Sequence, residues 1–285
     1  MMSDTKKIIE EYGLKLTKSL GQNFLVDSNI LRKIVDLGNI TKDDLVIEVG
    51  PGIGNMTREV AKRAGKVIAV EKDQRLIEPL QANLSEFGNV EVINEDFLEV
   101  DVVALAEMSN VKSIKIIGNL PYYITTPIIM SLLEEEVDID SMVFMVQKEV
   151  AQRMTAKEGT KEYGALTVTT NFYATVNMLF AVSANCFLPK PKVDSAVVKL
   201  DVNKVPKVPV ISKEFFKKTV RSAFGKRRKT LLNALATSGE FGMSKDEFRE
   251  ILDRLGIKEN QRGETLSVNQ FAELADEIYC RLIGD

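Results

Sequence analysis

Three alternate glycines directly follow an apolar stretch of the sequence. Leu45–Val49 has the composition of a buried strand, and Gly50, Gly52 and Gly54 lead from it into a segment that can form a helix. Glycine accepts positive φ angles and has no Cβ to keep a ligand away from the backbone. We therefore expect a ligand over this turn, next to the first amide groups of the helix. A sharp turn that binds nothing is the alternative.

An acidic residue before these glycines favours a methyl donor over a dinucleotide. Dinucleotide sites have the spacing G-x-G-x-x-G and an acidic residue about 20 positions further on. Here the spacing is G-x-G-x-G, and Glu48 stands two positions before the first glycine. Its carboxylate would repel a pyrophosphate but attract the sulfonium of S-adenosylmethionine. The turn therefore predicts an S-adenosylmethionine site, with NAD as the weaker alternative.

Two more acidic residues fall where predicted strands end. Glu71 follows the strand 66–70, at the place where an acid that binds a ribose is expected. Asp96 follows the strand 90–94 and could accept a hydrogen bond from the amine of an adenine. Both residues could instead be solvated charges in turns. Together with Glu48 they form a series of acids at strand ends, which favours a shared ligand site.

The sequence from Asn119 to Tyr122 has the groups needed to activate the exocyclic amine of a base. Such an amine is a poor nucleophile because its lone pair is delocalised into the ring. The Asn119 side-chain oxygen and the Leu120 carbonyl could accept its hydrogens and free the lone pair, while Pro121 stiffens the turn. Tyr122 offers an aromatic face to a base held out of its stack. Phe187, on a proline-stiffened loop, could stack on the base's other face or pack in the core.

Composition limits the chemistry that this chain can perform. Its 285 residues include no histidine, no tryptophan and two distant cysteines, Cys186 and Cys280. Serine–histidine hydrolysis, cysteine–histidine hydrolysis and histidine-ligated zinc are thereby excluded, and we expect no metal. Methyl transfer from a sulfonium needs only weak acid–base help. Without a long apolar run or a signal-peptide core, the sequence predicts a cytoplasmic protein with no membrane partner.

Alternating strands and helices predict an α/β fold that brings these residues together. A mostly parallel, seven-stranded sheet of the Rossmann-like, class I methyltransferase type would hold its ligand at the carboxyl ends of the strands. Asp27 predicts the N-cap of a helix over 28–37, and Thr126 with Pro127 predicts the start of another. The predicted strands are 45–49, 66–70, 90–94, 114–117, 142–146, 175–182 and 195–202.

The second part of the chain has a different pattern. A proline-containing linker over 202–209 precedes four helical segments with no strand pattern. We expect a catalytic domain over residues 1–203, with a basic, mobile or partly helical arm over 1–20, and a small all-α domain over 204–285. The predicted helices of this domain are 213–222, 229–236, 245–255 and 268–280.

Basic residues are concentrated between Lys204 and Lys229. This stretch contains ten Lys or Arg residues and one acidic residue, although the whole chain has a net charge of −3. A solvated surface is the alternative, but a cationic stretch beside a nucleotide-type site favours contact with RNA phosphates. The predicted RNA-binding residues are Lys190, Lys192, Arg221, Lys226, Arg227, Arg228 and Lys229.

Taken together, the motifs resemble the ribosomal RNA adenine dimethyltransferase family, and in particular its small-subunit branch. They occur in order over nearly the whole chain, and we see no departure at a motif position. The matching stretches are 22–25, 48–54, Glu71, Asp96, 119–122, 187–195 and 224–230.

The resemblance implies further roles and a substrate. It implies that the methyl donor contacts Asn23, Leu25, Gly50, Glu71, Asp96 and Asn119. For Asn23 and Leu25 the family is the only basis. It also implies dimethylation of two adjacent adenosines near the 3′ end of 16S rRNA, with the assembling 30S subunit as partner and no obligate protein partner.

Two other functions stay open. Relatives that methylate large-subunit RNA and confer macrolide resistance share the catalytic motifs, but more often carry isoleucine at the position of Leu120. The stretch 224–230 also favours the small-subunit branch. A non-catalytic RNA-binding assembly factor is the second alternative, and the intact sequence from Asn119 to Tyr122 argues against it.

Overall fold

A computed structural model describes residues 4–14, 22–107, 109, 113–134, 137–226 and 228–284. The chain forms two compact units. The first unit comprises Met1–Ala151 and Thr175–Lys204, and the second comprises Gln152–Ala174 and Val205–Asp285.

The first unit contains a seven-stranded sheet, which confirms the predicted α/β class and the seven predicted strands. The described strands are β1 (Phe24–Leu25), β2 (Asp44–Val49), β3 (Lys66–Val70), β4 (Val90–Ile93), β5 (Ser113–Asn119), β6 (Ile139–Gln147), β7 (Ala174–Val182), β8 (Phe187–Leu188) and β9 (Ser195–Val202). All of them except β1 and β8 belong to this sheet. Their order in the sheet is β4-β3-β2-β5-β6-β9-β7. The pairs from β4 to β6 are parallel, and β9 runs antiparallel to β6.

The central strands end at the same level. All six residues of β2 are buried, as expected for a parallel strand covered on both faces. Val49, the last residue of β2, pairs with Val70 of β3 and with Gly118 of β5. Asn119, one position further along, pairs with Met145 of β6. This register brings the residues after each strand to one edge of the sheet.

Most helix positions agree with the sequence pattern. The helices up to the end of β6 are α1 (Asp4–Glu11), α2 (Ser28–Leu37), α3 (Asn55–Ala61), α4 (Gln74–Leu84), α5 (Val102–Glu107) and α6 (Thr125–Glu134). Asp27 caps α2 as predicted, because its Oδ1 accepts from the amides of Asn29 at 2.9 Å and Ile30 at 3.3 Å.

The predicted start of α6 is wrong by two residues. The helix begins at Thr125, because Ile124 N–H donates to Pro121 O and Ile128 N–H donates to Ile124 O. Pro127 therefore lies inside the first turn of the helix. Backbone N–H groups in that turn have no intrahelical partner, so the lack of an N–H in proline costs no hydrogen bond there.

A short ladder outside the main sheet was not predicted. Residues of β1 and β8 pair antiparallel, with Phe24 opposite Leu188 and Leu25 opposite Phe187. The ladder attaches the segment before α2 to the start of the proline-rich loop.

The described secondary structure of the second unit is helical, apart from Ala174, the first residue of β7. Its described α-helices are α8 (Ala165–Tyr173), α9 (Lys213–Phe224), α10 (Leu231–Ala236), α11 (Lys245–Arg254) and α12 (Val268–Ile283), and α7 (Lys148–Met154) spans the boundary between the units. In the described part of the chain, no helix is both long and apolar enough to cross a membrane.

One segment falls in a different unit from the one predicted. Residues 152–174, placed by sequence in the catalytic domain, group with the helical unit. The ring of Phe172 stacks on Phe216 with centroids 4.0 Å apart, and Tyr163 Oη donates to Leu266 O at 2.8 Å. These contacts join positions far apart in sequence, which a single boundary drawn along the chain cannot represent.

Candidate functional site

A cavity opens at the carboxyl edge of the sheet in the first unit, and we call it the edge cavity. Its lining includes every residue predicted to contact the methyl donor, and also Pro121. These predicted residues are Asn23, Leu25, Glu48, Gly50, Gly52, Glu71, Asp96 and Asn119. The fold thus brings together residues from five segments of the chain, whereas their contact with a donor stays a prediction.

The glycine turn forms the floor of the edge cavity. Gly50, Gly52 and Gly54 have φ angles of +65°, +63° and +85°, in the region that favours glycine. Gly50 N–H donates to Val70 O at 3.0 Å, which ties the turn to β3. A Cβ on Gly52 would lie 2.6 Å from Cε1 of Phe24. Glycine at this position therefore allows the Phe24 ring to lie directly on the turn.

Glu48 is the most buried acid in the lining. It is 1% exposed, and neither its Oε2 nor the Oγ1 of nearby Thr57 has a hydrogen-bond partner among the described residues. Burial raises the pKa of the Glu48 carboxyl to about 8, and the charge of Glu71 adds to this rise. In the free protein this carboxyl is therefore mostly protonated at neutral pH. An unpartnered acid here fits a cationic ligand, which would favour the ionised form.

Glu71 is held by backbone amides. Its Oε2 accepts from Gly52 N–H at 3.0 Å and its Oε1 from Asp73 N–H at 2.8 Å. Burial raises the pKa of the Glu71 carboxyl, and these amide hydrogen bonds oppose the rise. Each carboxylate oxygen has more than one lone pair, so both can still accept from the hydroxyls of a ligand.

Asp96 forms an ion pair that the sequence analysis missed. Its Oδ2 lies 2.5 Å from Lys72 Nζ, and its Oδ1 accepts from Leu98 N–H at 3.2 Å. The hydrogen bond from Lys72 lowers the pKa of the Asp96 carboxyl. Lys72 also lines the edge cavity, so an amine bound to Asp96 would share the carboxylate with it. The only sequence signal for Lys72 is its position next to Glu71.

The Asn119 amide is oriented by one hydrogen bond. Its Nδ2 donates to the backbone carbonyl of Asn23 at 2.8 Å, and Oδ1 accepts from none of the described residues. Leu120 N–H donates to Met145 O at 3.1 Å, and its buried side chain is not part of the lining. No described N–H donates to the Leu120 carbonyl. Asn119 Oδ1 and the Leu120 carbonyl oxygen can thus both accept a hydrogen from the amine of a base, as the predicted activation of that amine requires.

The aromatic residues near the edge cavity differ in their exposure and in whether they line it. Tyr122 is partly buried, and its hydroxyl shares a hydrogen bond of 3.1 Å with Ser195 Oγ. Phe187 is 4% exposed and packs in a core cluster with Leu25, as in the core-packing alternative. Neither ring is part of the lining. Tyr123, which the sequence analysis did not select, is 53% exposed and lines the edge cavity.

The predicted RNA-binding residues are at the surface wherever the structure describes them. Lys190 and Lys192 are exposed in the first unit. In the second unit the exposed residues are Arg221, Lys226, Arg228 and Lys229. Arg227, the remaining member of the predicted set, lies outside the described residues.

Sequence comparison relates the whole chain to proteins that modify ribosomal RNA. The profile of the family described as "Ribosomal RNA adenine dimethylase" matches residues 13–279. A protein of Alkaliphilus metalliredigens named "Ribosomal RNA small subunit methyltransferase A" is 51% identical over 280 residues, covering 98% of this chain and 97% of that protein. A protein of the same name from Clostridioides difficile is 48% identical and covers 96% and 94%.

Structural comparison relates the fold to two solved methyltransferases. A dimethyladenosine transferase from Plasmodium falciparum has a TM-score of 0.74 at 26% identity, covering 87% of this chain and 94% of that chain. The 23S rRNA methyltransferase ErmE has a TM-score of 0.66 at 28% identity, covering 90% and 99%. The fold is therefore that of S-adenosylmethionine-dependent methyltransferases.

Proposed function

The chain belongs to the ribosomal RNA adenine dimethylase family, and from this premise we propose that it dimethylates adenosines in 16S rRNA. Its substrates would be two adjacent adenosines near the 3′ end, each receiving two methyl groups on its exocyclic amine. The observation that carries this proposal is the cavity whose lining unites all predicted donor contacts with the free Asn119 oxygen. Relatives named for the small subunit support the choice of RNA.

S-adenosylmethionine would supply an electrophilic methyl group when bound in the edge cavity. Glu48, buried and with one unpartnered oxygen, would favour its positive charge. Glu71 would accept from the ribose hydroxyls, and Asp96 from the adenine amine. The remaining proposed donor contacts are Asn23, Leu25, Gly50, Gly52 and Asn119.

Asn119 and Leu120 would act on the nitrogen that receives the methyl group. The Asn119 oxygen and the Leu120 carbonyl would accept its two hydrogens before the first transfer, and one of them would accept the remaining hydrogen before the second. This favours a pyramidal nitrogen with an available lone pair. The hydrogen bond from Asn119 Nδ2 to Asn23 O supports this role, because it restrains the amide and would leave its oxygen free for the amine. The proton released afterwards can pass to water, so no histidine is needed.

The base would be held at the rim by aromatic side chains and by Pro121. Tyr122 remains our candidate for stacking, with its hydroxyl restrained by Ser195. Stacking by Phe187 remains a prediction that its burial beside Leu25 does not support.

Basic surface residues would bind the RNA backbone of the 30S subunit. Phosphate contacts from lysine and arginine supply affinity and position the RNA without reading its sequence. Since ribosomal subunits assemble in the cytoplasm, we place the protein there. The proposed residues are Lys190, Lys192, Arg221, Lys226, Arg227, Arg228 and Lys229.

A labelling experiment tests both the reaction and the RNA. The protein is incubated with methyl-labelled S-adenosylmethionine and with separated, unmethylated small or large subunits, and the RNA is digested to nucleosides. We expect labelled dimethyladenosine from the small subunit alone. Label in large-subunit RNA would indicate the resistance-type activity, and no label with intact donor binding would indicate a binding protein.

A further inference from the structure

Helix α1 is amphipathic, and its apolar face is directed to the protein. Thr5, Ile8, Ile9 and Tyr12 follow the i, i+3, i+4, i+7 spacing of one helix face and are buried or partly buried. The opposite face is exposed and carries charges. Its residues are Lys6, Lys7, Glu10 and Glu11.

The end of α1 turns the chain back onto this apolar face. Gly13 has a φ of +57°, its N–H donates to Glu10 O at 3.2 Å, and Leu14 N–H donates to Ile9 O at 2.9 Å. This pair of hydrogen bonds is a Schellman motif, in which the residue after the glycine contacts the last turn of the helix. Leu14 is thereby placed on the same side as Ile9.

The apolar face packs on the outer side of the edge cavity. Ile8, Ile9 and Leu14 contact a cluster of the buried side chains Phe24, Ile53 and Leu76. All three cluster residues also line the edge cavity, and the Phe24 ring lies on Gly52. The wall between α1 and the edge cavity is therefore one side chain thick.

A polar contact attaches the same helix to the glycine turn. Thr5 is 3% exposed, and its Oγ1 accepts from Asn55 Nδ2 at 2.8 Å. Asn55 is the first residue of α3 and lines the edge cavity, and its Nδ2 also donates to Leu25 O at 3.1 Å. One amide thus connects α1 to a proposed donor contact.

We propose that α1 is a positioning element of the donor site. When α1 is packed on the protein, it holds Phe24 on the glycine turn and Asn55 against Leu25. The affinity for the donor therefore depends on a helix that does not line the cavity. The inference rests on the proposed function for the identity of the ligand. Because coupling between two sites is reciprocal, a bound donor must in turn stabilise the packing of α1.

Hydrogen exchange on the unmodified protein tests the reciprocal effect. Amides of residues 8–14 are followed with and without saturating S-adenosylhomocysteine, which shares all of the donor except its methyl group. We expect exchange there to slow at least about threefold on binding. Exchange that is unchanged while the cavity-lining segments become protected would overturn the inference.

Calorimetry on substituted proteins tests the direct effect. Ile9→Ala should raise the Kd for S-adenosylhomocysteine about fivefold, and Thr5→Val, which removes a single neutral hydrogen bond, about threefold. Leu105→Ala is the matched control, because Leu105 is also partly buried but belongs neither to the cluster under α1 nor to the one that contains Leu25, and it does not line the cavity. Its Kd should stay within twofold of the unmodified protein.

The possible failures are distinguishable. Unchanged affinity in both α1 variants would overturn the role of α1 and leave the proposed function intact. A complete lack of affinity in the unmodified protein would instead contradict the proposed function. If Ile9→Ala fails to fold, the Thr5→Val affinity and the exchange measurement still decide between these outcomes.

Discussion

Replacing Glu48 with glutamine should remove a pH-dependent part of the free energy of unfolding. The pKa of this carboxyl rises from its usual value of 4.5 to about 8 in the folded protein, because burial disfavours its charge. Between these values the folded state holds a proton that the unfolded state releases. The stabilisation is therefore complete below pH 4.5 and is lost as the pH rises towards 8.

The size of this effect follows from the shift. One pKa unit corresponds to about 1.4 kcal/mol, so unmodified protein should lose about 4 kcal/mol relative to Glu48→Gln between about pH 5 and 8. The pKa of Glu71 is also raised, and this residue contributes a pH dependence to both proteins. Comparing the two proteins cancels the part of that contribution that does not depend on Glu48, so the difference reports Glu48 together with its interaction with Glu71.

Urea unfolding followed by circular dichroism measures this difference. Both proteins are titrated at several pH values across the window, with Glu78→Gln as the control for an exposed glutamate on α4. The free energies of Glu48→Gln and unmodified protein should diverge by about 1.4 kcal/mol per pH unit, while the control follows the unmodified protein. Parallel curves for all three would refute the argument that Glu48 is buried as a neutral acid.

Two further predictions concern ligand binding. Glu71→Ala should weaken S-adenosylhomocysteine binding by about tenfold or more, since it removes charged acceptors. Glu71→Gln should weaken the binding less. Affinity that calorimetry finds unchanged in Glu71→Ala would remove Glu71 from the site. Replacing Lys226, Arg228 and Lys229 with glutamine should lower the affinity for small-subunit RNA and reduce its salt slope by about 2 to 3. An unchanged slope in filter-binding titrations would place the RNA surface elsewhere.

Matched controls keep these two experiments specific. The RNA affinity of the Glu71 variants should stay unchanged, because Glu71 is buried in the cavity wall. The triple variant should bind S-adenosylhomocysteine normally, because none of its three residues lines the edge cavity. A loss of both activities in either variant would indicate unfolding rather than loss of a contact.

Much of the fold could be predicted because it depends on local patterns. The buried strands, the glycine turn and the Asp27 cap each have a signal within a few residues. The parallel order then places Glu48, Glu71 and Asn119 at one edge by topology alone.

The features that sequence reasoning missed depend on contacts between distant residues. Nothing near Phe187 in sequence indicates that it pairs with Leu25, or that residues 152–174 pack in the helical unit. The Lys72–Asp96 ion pair and the exposure of Tyr123 likewise follow from how separate loops meet. The N-terminal segment was predicted to be a basic, mobile or partly helical arm over 1–20, and residues 15–20 lie outside the described residues. Its described part agrees with the helical alternative over Asp4–Glu11, but has more acidic than basic residues.

The most direct test of the account is single-turnover methyl transfer by Asn119→Ala. Unmodified and variant proteins are saturated with labelled S-adenosylmethionine, mixed with unmethylated small subunits, and compared in transfer rate and in donor Kd. Loss of the oxygen that accepts the amine hydrogen should slow transfer at least about a hundredfold, as does the removal of other preorganised contacts to a transition state. The Kd for the donor should change by no more than a few-fold. Transfer at the unmodified rate, or a loss explained entirely by weaker donor binding, would contradict the proposed role of Asn119.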